Sequence, residues 1–306
     1  IKREAKLMIE ENIVIYGRGK AKQIPHEKTY NVKLNIDKSD KHITIGMSGG
    51  MDSAMLLWLL AYHIDKNNWD TTIHQWSVCL DERPFQVHHA KKVIQFVKDS
   101  FPNVEFGEHR TSVANSIEYV DHGTELSWEM AYDWKMTKLF NGVTLNPSKN
   151  EQQYWGVAWE KRALNRDDDT VGWDEEEIKE IHLPIIDNEF GPEAKALCGK
   201  EWNQKAIDDL CDQGRKVSDY KFFENLPFIH DDKRIVLALY KKYGLLLELA
   251  PLTRSCEGPW ERTDGFKTEC KRCWWCIEKQ WATAHIWNND PKEALKYYPG
   301  ITEPGV

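Results

Sequence analysis

The chain is organised around Ile43-Thr-Ile-Gly-Met-Ser-Gly-Gly-Met-Asp-Ser-Ala-Met-Leu-Leu-Trp58. Ile43 to Ile45 alternates β-branched residues and reads as a short strand entering a buried sheet. Ala54 to Tyr62 is rich in strong helix formers and reads as a helix packed on that sheet. Between them lies Ser48-Gly49-Gly50-Met51-Asp52-Ser53. Two adjacent glycines let the backbone turn tightly and approach a ligand closely. Asp52 or Ser53 suits the helix cap, and a helix start offers N–H groups and the positive end of the helix dipole. Such an arrangement is an anion site, most often for phosphate. A Gly-Gly-x-Asp-Ser run alone also suits an ordinary strand-to-helix turn.

Working outward, Thr71 to Leu80 reads as a second strand, Val87 to Phe101 as a helix and Val104 to His109 as a third strand. Ser127 to Phe140 reads as another helix, followed by a fourth strand within Leu139–Pro147. Alternation of strands and helices at this spacing predicts an α/β fold with a doubly wound parallel sheet. Ligands of such sheets sit outside the carboxyl ends of the strands. The segments after Ile45, Leu80 and Thr144 are then expected to face one crevice, with Gly142, Thr144 and Asn146 as lining candidates. Before the loop, Val14–Tyr16 and Tyr30–Ile36 read as two strands flanking a basic turn at 17–22.

Composition bounds the rest. The 306 residues are 41% hydrophobic and 29% charged, which is the balance of a globular protein. No apolar run of about 18 residues predicts a membrane span, and no secretory signal is visible at the start. A net charge of −8 argues against a large nucleic-acid footprint. Seven cysteines without such a signal suggest a cytoplasmic, reducing setting in which clustered thiols hold metal.

Those thiols cluster near the carboxyl end as Cys256…Cys270-Lys-Arg-Cys273-Trp-Trp-Cys276. Four thiolates match the tetrahedral preference of Zn²⁺ and close its coordination shell, so the ion is expected to be structural. Its binding would fold a loop-rich tail with little core of its own. A four-cysteine iron–sulfur cluster is the alternative. Cys79, Cys198 and Cys211 lie outside this set. The acidic stretch around Asp167–Asp169 and Glu175–Glu177 reads as a solvated insertion, with a Mg²⁺ site as the lesser alternative.

The Ser48–Ser53 string resembles the pyrophosphate-binding PP-loop of the N-type ATP pyrophosphatases, which cleave ATP between the α and β phosphates. It is not a Walker A loop, because no Gly-Lys-Ser/Thr follows the glycines. Leu226-Pro-Phe-Ile-His-Asp-Asp-Lys233, a helix ending near Gly244, Thr253-Arg-Ser-Cys256 and the Cys-x-x-Cys-x-x-Cys run are similar to the 7-cyano-7-deazaguanine synthase family. The resemblance covers roughly residues 43–65 and 226–285, with fold-level agreement between them. It implies an N-terminal extension at 1–40, a PP-loop domain at 41–250 carrying an acidic insertion about 150–216, and a zinc module at 251–306.

The same resemblance implies an ATP-dependent ligase that adenylates a 7-deazaguanine carboxylate, releases pyrophosphate and uses ammonia to reach amide and nitrile. Ser48, Gly49, Gly50, Asp52 and Ser53 would hold the pyrophosphate, with Asp52 also on Mg²⁺. Lys233, and more weakly Arg254, would neutralise phosphate charge. Cys256, Cys270, Cys273 and Cys276 match the zinc ligands. Where the family usually carries a Gly-x-x-x-x-Asp segment followed by a Tyr/Asp/Arg cluster, this chain has Gly142-Val-Thr-Leu-Asn146-Pro, which leaves the acceptor open. The alternatives are a tRNA thiolase, an adenylyl-sulfate-reductase-like protein and a PP-loop protein that senses nucleotide or modifies a protein partner. A homodimer is compatible with each.

Overall fold

A computed structural model describes residues 7–16, 25–80, 85–115, 119–136, 138–144, 147, 223–229, 231–258, 262–265, 267–271 and 273–287. The acidic insertion, Asn146, Cys198, Cys211 and the basic turn at 17–22 lie outside the described residues. Among those described, no helix is long and apolar enough to cross a membrane. By compactness the chain divides into one unit of residues 1–8, 33–143 and 176–227 and another of 9–32, 144–175 and 228–306.

The elements run β1 (Leu7–Tyr16), β2 (Pro25–Leu34), β3 (His42–Gly46), α1 (Met51–Asn67), β4 (Thr72–Leu80), α2 (Phe85–Ser100) and β5 (Phe106–Ala114). Then follow α3 (Tyr119–Trp134), β6 (Lys138–Phe140), β7 (Phe223–Asn225), α4 (Lys233–Lys242) and α5 (Trp274–Trp287). β1 and β2 form a two-stranded sheet of their own.

The first unit is built on a five-stranded sheet of order β5-β4-β3-β6-β7, and all its pairings are parallel. From β3 the chain steps outward through β4 to β5, then jumps back past β3 to β6. Because crossovers of this kind are right-handed, reversing direction puts α1 and α2 on one face and α3 on the other. The sheet is therefore doubly wound, as the alternation predicts. β4 is an interior strand and almost wholly buried, polar residues included, as expected for a parallel strand covered on both faces. α1 is buried over most of its length from Met51 to Ile64, which suits a helix apolar all round rather than amphipathic.

Several boundaries differ from the sequence reading. α3 begins at Tyr119, eight residues before Ser127, and stops at Trp134, where Lys135 takes φ +49°. The predicted fourth strand shrinks to the three residues of β6, and β5 runs on to Ala114 rather than ending at His109. β7 completes the edge of the sheet without having been anticipated. Neither Asp52 nor Ser53 is the cap of α1; that position belongs to Gly50 in extended backbone.

A buried histidine, His74, and a half-buried one, His109, brace the sheet. His74 Nδ1 accepts the Glu108 backbone N–H at 3.2 Å, so its proton resides on Nε2, which lies 3.2 Å from His42 Nδ1. Burial, and then the neighbouring His42, push His74 down to about 4. His109 is pushed to about 4 as well, by burial and then by Lys91 and Lys98. Unfolded, each titrates near 6.5, so between that pH and 4 the unfolded chain binds more protons than the folded one. Stability is therefore complete above pH 6.5 and falls as pH drops through this window. The slope from His74 is about 1.4 kcal/mol per pH unit. Urea midpoints at pH 7 and 5 should show the drop, and His74→Gln should flatten it. Equal midpoints for the unsubstituted protein would count against these assignments.

Candidate functional site

The strand order places a switch point between β3 and β6, where the chain leaves in opposite directions and a crevice opens at the carboxyl ends. Ser48–Ser53 follows β3 and Gly142 follows β6, so both segments arrive at that point. Gly49 turns the loop with φ +75°, a conformation that favours glycine. A Cβ on Gly49 would lie 2.7 Å from Gln86 O and 3.0 Å from His89 Cβ, so the first turns of α2 press directly on the loop. A Cβ on Gly142 would lie 2.8 Å from both Asp52 C and Ser53 N. Gly142 thus closes on the start of α1 at backbone contact.

Within the loop, Gly50 N–H donates to Ser48 Oγ at 3.2 Å, Ser48 and Ser53 hydroxyls meet at 3.1 Å, and Ser53 Oγ donates to Gly50 O at 3.3 Å. Ser48 is exposed and Ser53 buried, so the pair runs from crevice to core. The first helical bond of α1 is Ala54 N–H to Gly50 O at 3.2 Å, and Gly50 as cap brings no side chain over the first turn. The loop therefore presents hydroxyls, glycine backbone and a helix start on one short arc, the components of an anion cradle.

Sequence reasoning missed the residues that hold this arc in place. Met47 N–H donates to Trp76 O at 2.7 Å, and Ser77 Oγ donates to Met47 O at 2.7 Å. His109 Nε2 lies 2.9 Å from that same Ser77 oxygen. The serine has one proton, already given to Met47, so neutral His109 must donate from Nε2. Gln86 Oε1 accepts Leu80 N–H at 3.1 Å and fixes the entry to α2. At Gly46 a Cβ would lie 2.8 Å from the Trp76 ring and would also collide with Asn141 Oδ1. Glycines ending β3 and following β6 were the available signal. Cys79 is buried near the end of β4. Thr144 is half-buried, and the second compact unit resumes with it.

The second unit gathers the other candidates. Cys256, Cys270, Cys273 and Cys276 bring their sulfurs within 4.8 Å of one another. Cys256 Sγ accepts the N–H groups of Gly258 at 3.3 Å and Cys270 at 3.1 Å, and Cys270 Sγ accepts that of Cys273 at 3.2 Å. Backbone donors aimed at sulfur favour thiolate over thiol. For Cys256, contact with Cys270 opposes ionisation while hydrogen bonds from Cys273 and Cys276 favour it, and it is drawn down to about 7. Cys273 and Cys276 are pushed up, first by their contact with Cys256. Four such sulfurs cannot all carry charge unless a cation sits among them, and the donor set fits a thiophilic metal ion or cluster.

Close packing extends to Gly258, where a Cβ would lie 2.7 Å from Cys270 Sγ. Arg254 is buried, and its guanidinium donates to Thr268 O at 2.8 Å, bracing the segment between Cys256 and Cys270. Lys233 opens α4, capped by Asp232, whose carboxylate accepts Arg234 N–H at 3.0 Å. The Lys233 ammonium is buried and lies 3.4 Å from Glu278 on α5, which is buried too.

No family model matches the chain, and no curated protein matches it. Among solved structures it is similar to a U34-tRNA thiolase, NcsA, from Methanococcus maripaludis with its [4Fe-4S] cluster. That likeness has 11% identity and a TM-score of 0.35, and covers 86% of this chain and 71% of the thiolase. It is also similar to an NAD+ synthetase from Burkholderia pseudomallei, with 10% identity, a TM-score of 0.30, and coverage of 85% and 80%. Likenesses this distant carry no argument, so the fold stands on its strand order and the site on its own geometry.

Proposed function

We propose that the chain is an ATP-using enzyme that cleaves ATP between the α and β phosphates and joins ammonia to an activated carboxylate. The observation that carries this reading is the Ser48–Ser53 arc at the switch point, closed by Gly142 at backbone contact. Ser48, Gly49, Gly50 and Ser53 would hold the departing pyrophosphate with hydroxyls and backbone N–H groups. Asp52 is the one charged side chain in the loop and suits a Mg²⁺ ion better than a bare phosphate, so it would hold the ion that neutralises ATP. Gly142 would line the nucleotide side.

The acceptor in this reading is a 7-deazaguanine carboxylate, as the sequence resemblance implies. Its oxygen attacks the α-phosphorus and pyrophosphate leaves. Ammonia then attacks the acyl carbon and AMP leaves, giving the amide. A second adenylation, on the amide oxygen, lets loss of AMP and protons yield the nitrile. The chain's own contribution is to hold acceptor and α-phosphorus in line and to stabilise charge on the leaving pyrophosphate. The four cysteines would hold Zn²⁺ in a structural role, outside the chemistry.

Pyrophosphate release from ATP is expected only with both the deazaguanine carboxylate and ammonium present. Asp52→Asn should lower turnover by about 10²–10³, the usual cost of losing one charge-stabilising group. A requirement for tRNA and a sulfur donor instead would sink the ligase reading and favour a thiolase. Buried Cys79 near the end of β4 would then be the residue to test.

A further inference from the structure

We propose that the four-cysteine centre sets the position of the first turn of α4, with Glu278 and Trp281 as the relay. The two helices meet through a pair of cations at the start of α4. Lys233 reaches Glu278 at 3.4 Å, with both side chains buried. The next residue, Arg234, lays its guanidinium 4.9 Å above the centre of the Trp281 ring. Asp232 holds that guanidinium at both ends, through Nε at 2.8 Å and a terminal nitrogen at 2.6 Å, while it caps the helix. Glu278 and Trp281 are three apart and share one face of α5.

The metal ligands define where α5 begins. Ile277 N–H bonds Cys273 O at 3.0 Å, closing the first turn, and Cys276 lies inside that turn. Glu278 follows two residues later. Gathering four sulfurs around one ion therefore fixes the turn that carries Glu278, and Glu278 in turn fixes Lys233. A buried lysine–glutamate pair is a poor source of stability compared with apolar side chains of the same size, whereas it does impose one relative position on two helices. The electrostatics reinforce this, since Glu278 without Lys233, or Lys233 without Glu278, would leave an uncompensated buried charge. α4 is thus a reporter of the metal centre. The mechanical link stands apart from the proposed function.

The test is hydrogen exchange on the full-length protein, with no ATP present. In zinc-loaded protein, Glu278→Gln should keep its zinc stoichiometry. It should nevertheless speed exchange of the amides in the first turns of α4 by roughly tenfold or more, as local opening becomes easier. Removing both charges, as Lys233→Met with Glu278→Leu, should restore slow exchange there while abolishing its response to metal. In the unsubstituted protein, chelation should speed exchange in α5 and in the first turn of α4, leave α1 slow, and reverse on adding zinc chloride. Wild-type exchange in α4 of zinc-loaded Glu278→Gln would overturn the proposal. So would an α4 that stays protected while chelation opens α5. Should chelation open α1 as well, the zinc-loaded variants decide alone. Because no outcome is read from ATP turnover, failure of the ligase reading leaves this result unchanged.

Discussion

Stripping metal from the four-cysteine centre, or replacing Cys276 with serine, is expected to melt the cysteine-bearing segment and α5. Between Leu252 and Trp274 the described chain holds only turns and short loop segments. Ordering such backbone costs about 1–2 kcal/mol per residue, and the described residues of this segment bury few apolar side chains to offset it. Among those described residues the buried ones are chiefly Thr253, Arg254, Cys256, Gly258 and Thr263. Structural zinc in small peptides supplies apparent binding energies of about 10–16 kcal/mol, as large as the whole stability of an ordinary domain at about 5–15 kcal/mol. Loss of the ion should then melt α5 from its first turn and with it the packing of Ile277, Trp281 and Ile286, all buried. Metal content by mass spectrometry, paired with circular dichroism and thermal melts, checks this. A metal-depleted chain that melts where the loaded one does would show that the cluster contributes nothing to folding.

Gly142→Ala is expected to abolish nucleotide binding while leaving the chain folded. The new methyl would fall 2.8 Å from the Asp52 carbonyl carbon and the Ser53 nitrogen. These are backbone atoms at the start of α1, not the movable tip of a side chain, so either the loop or the end of β6 must shift. Overpacking of this kind costs about 1–3 kcal/mol in stability, whereas misplacing a binding group by about 1 Å can cost 10²-fold in rate. Gly244→Ala is the matched control. Gly244 has φ +71°, but a Cβ there would meet nothing within 4 Å. It should therefore show only the strain of a left-handed residue, about 1–2 kcal/mol, with ATP binding intact. Calorimetric titration with ATP checks both variants, and parental affinity in Gly142→Ala would remove that glycine from the site.

What the sequence disclosed follows from how local each signal is. Ile43–Ile45, the glycines and the apolar run of α1 are contiguous, and together they announce a strand, a tight turn and a buried helix. The four cysteines are likewise close enough in the chain for their spacing to suggest one centre. β6 and β7 are three residues each, too short for any period to show, and β7 exists only because β6 is there to pair with it. The early start of α3 runs through Asp121, His122 and Gly123, residues of weak helix propensity. That glycine has a tertiary cause, since a Cβ there would lie 3.1 Å from the Trp76 ring. β5 runs beyond His109 through Arg110, Thr111 and Ser112, polar residues that an edge strand tolerates. The partner of Lys233 was beyond reach. Nothing local to α4 points to Glu278.

The order of strands also bears on how the molecule comes into being. β3, β4 and β5 are neighbours in the chain as well as in the sheet, joined through α1 and α2. β6 must find β3 from far along the chain, with Leu139 registered against Thr44, and β7 must find β6 from farther still, with Phe223 against Lys138. Contacts that close long stretches of chain are slow to form. The topology therefore favours a half-sheet that already displays the Ser48–Ser53 turn before Gly142 arrives to close it. During synthesis, binding competence would be among the last properties the chain acquires.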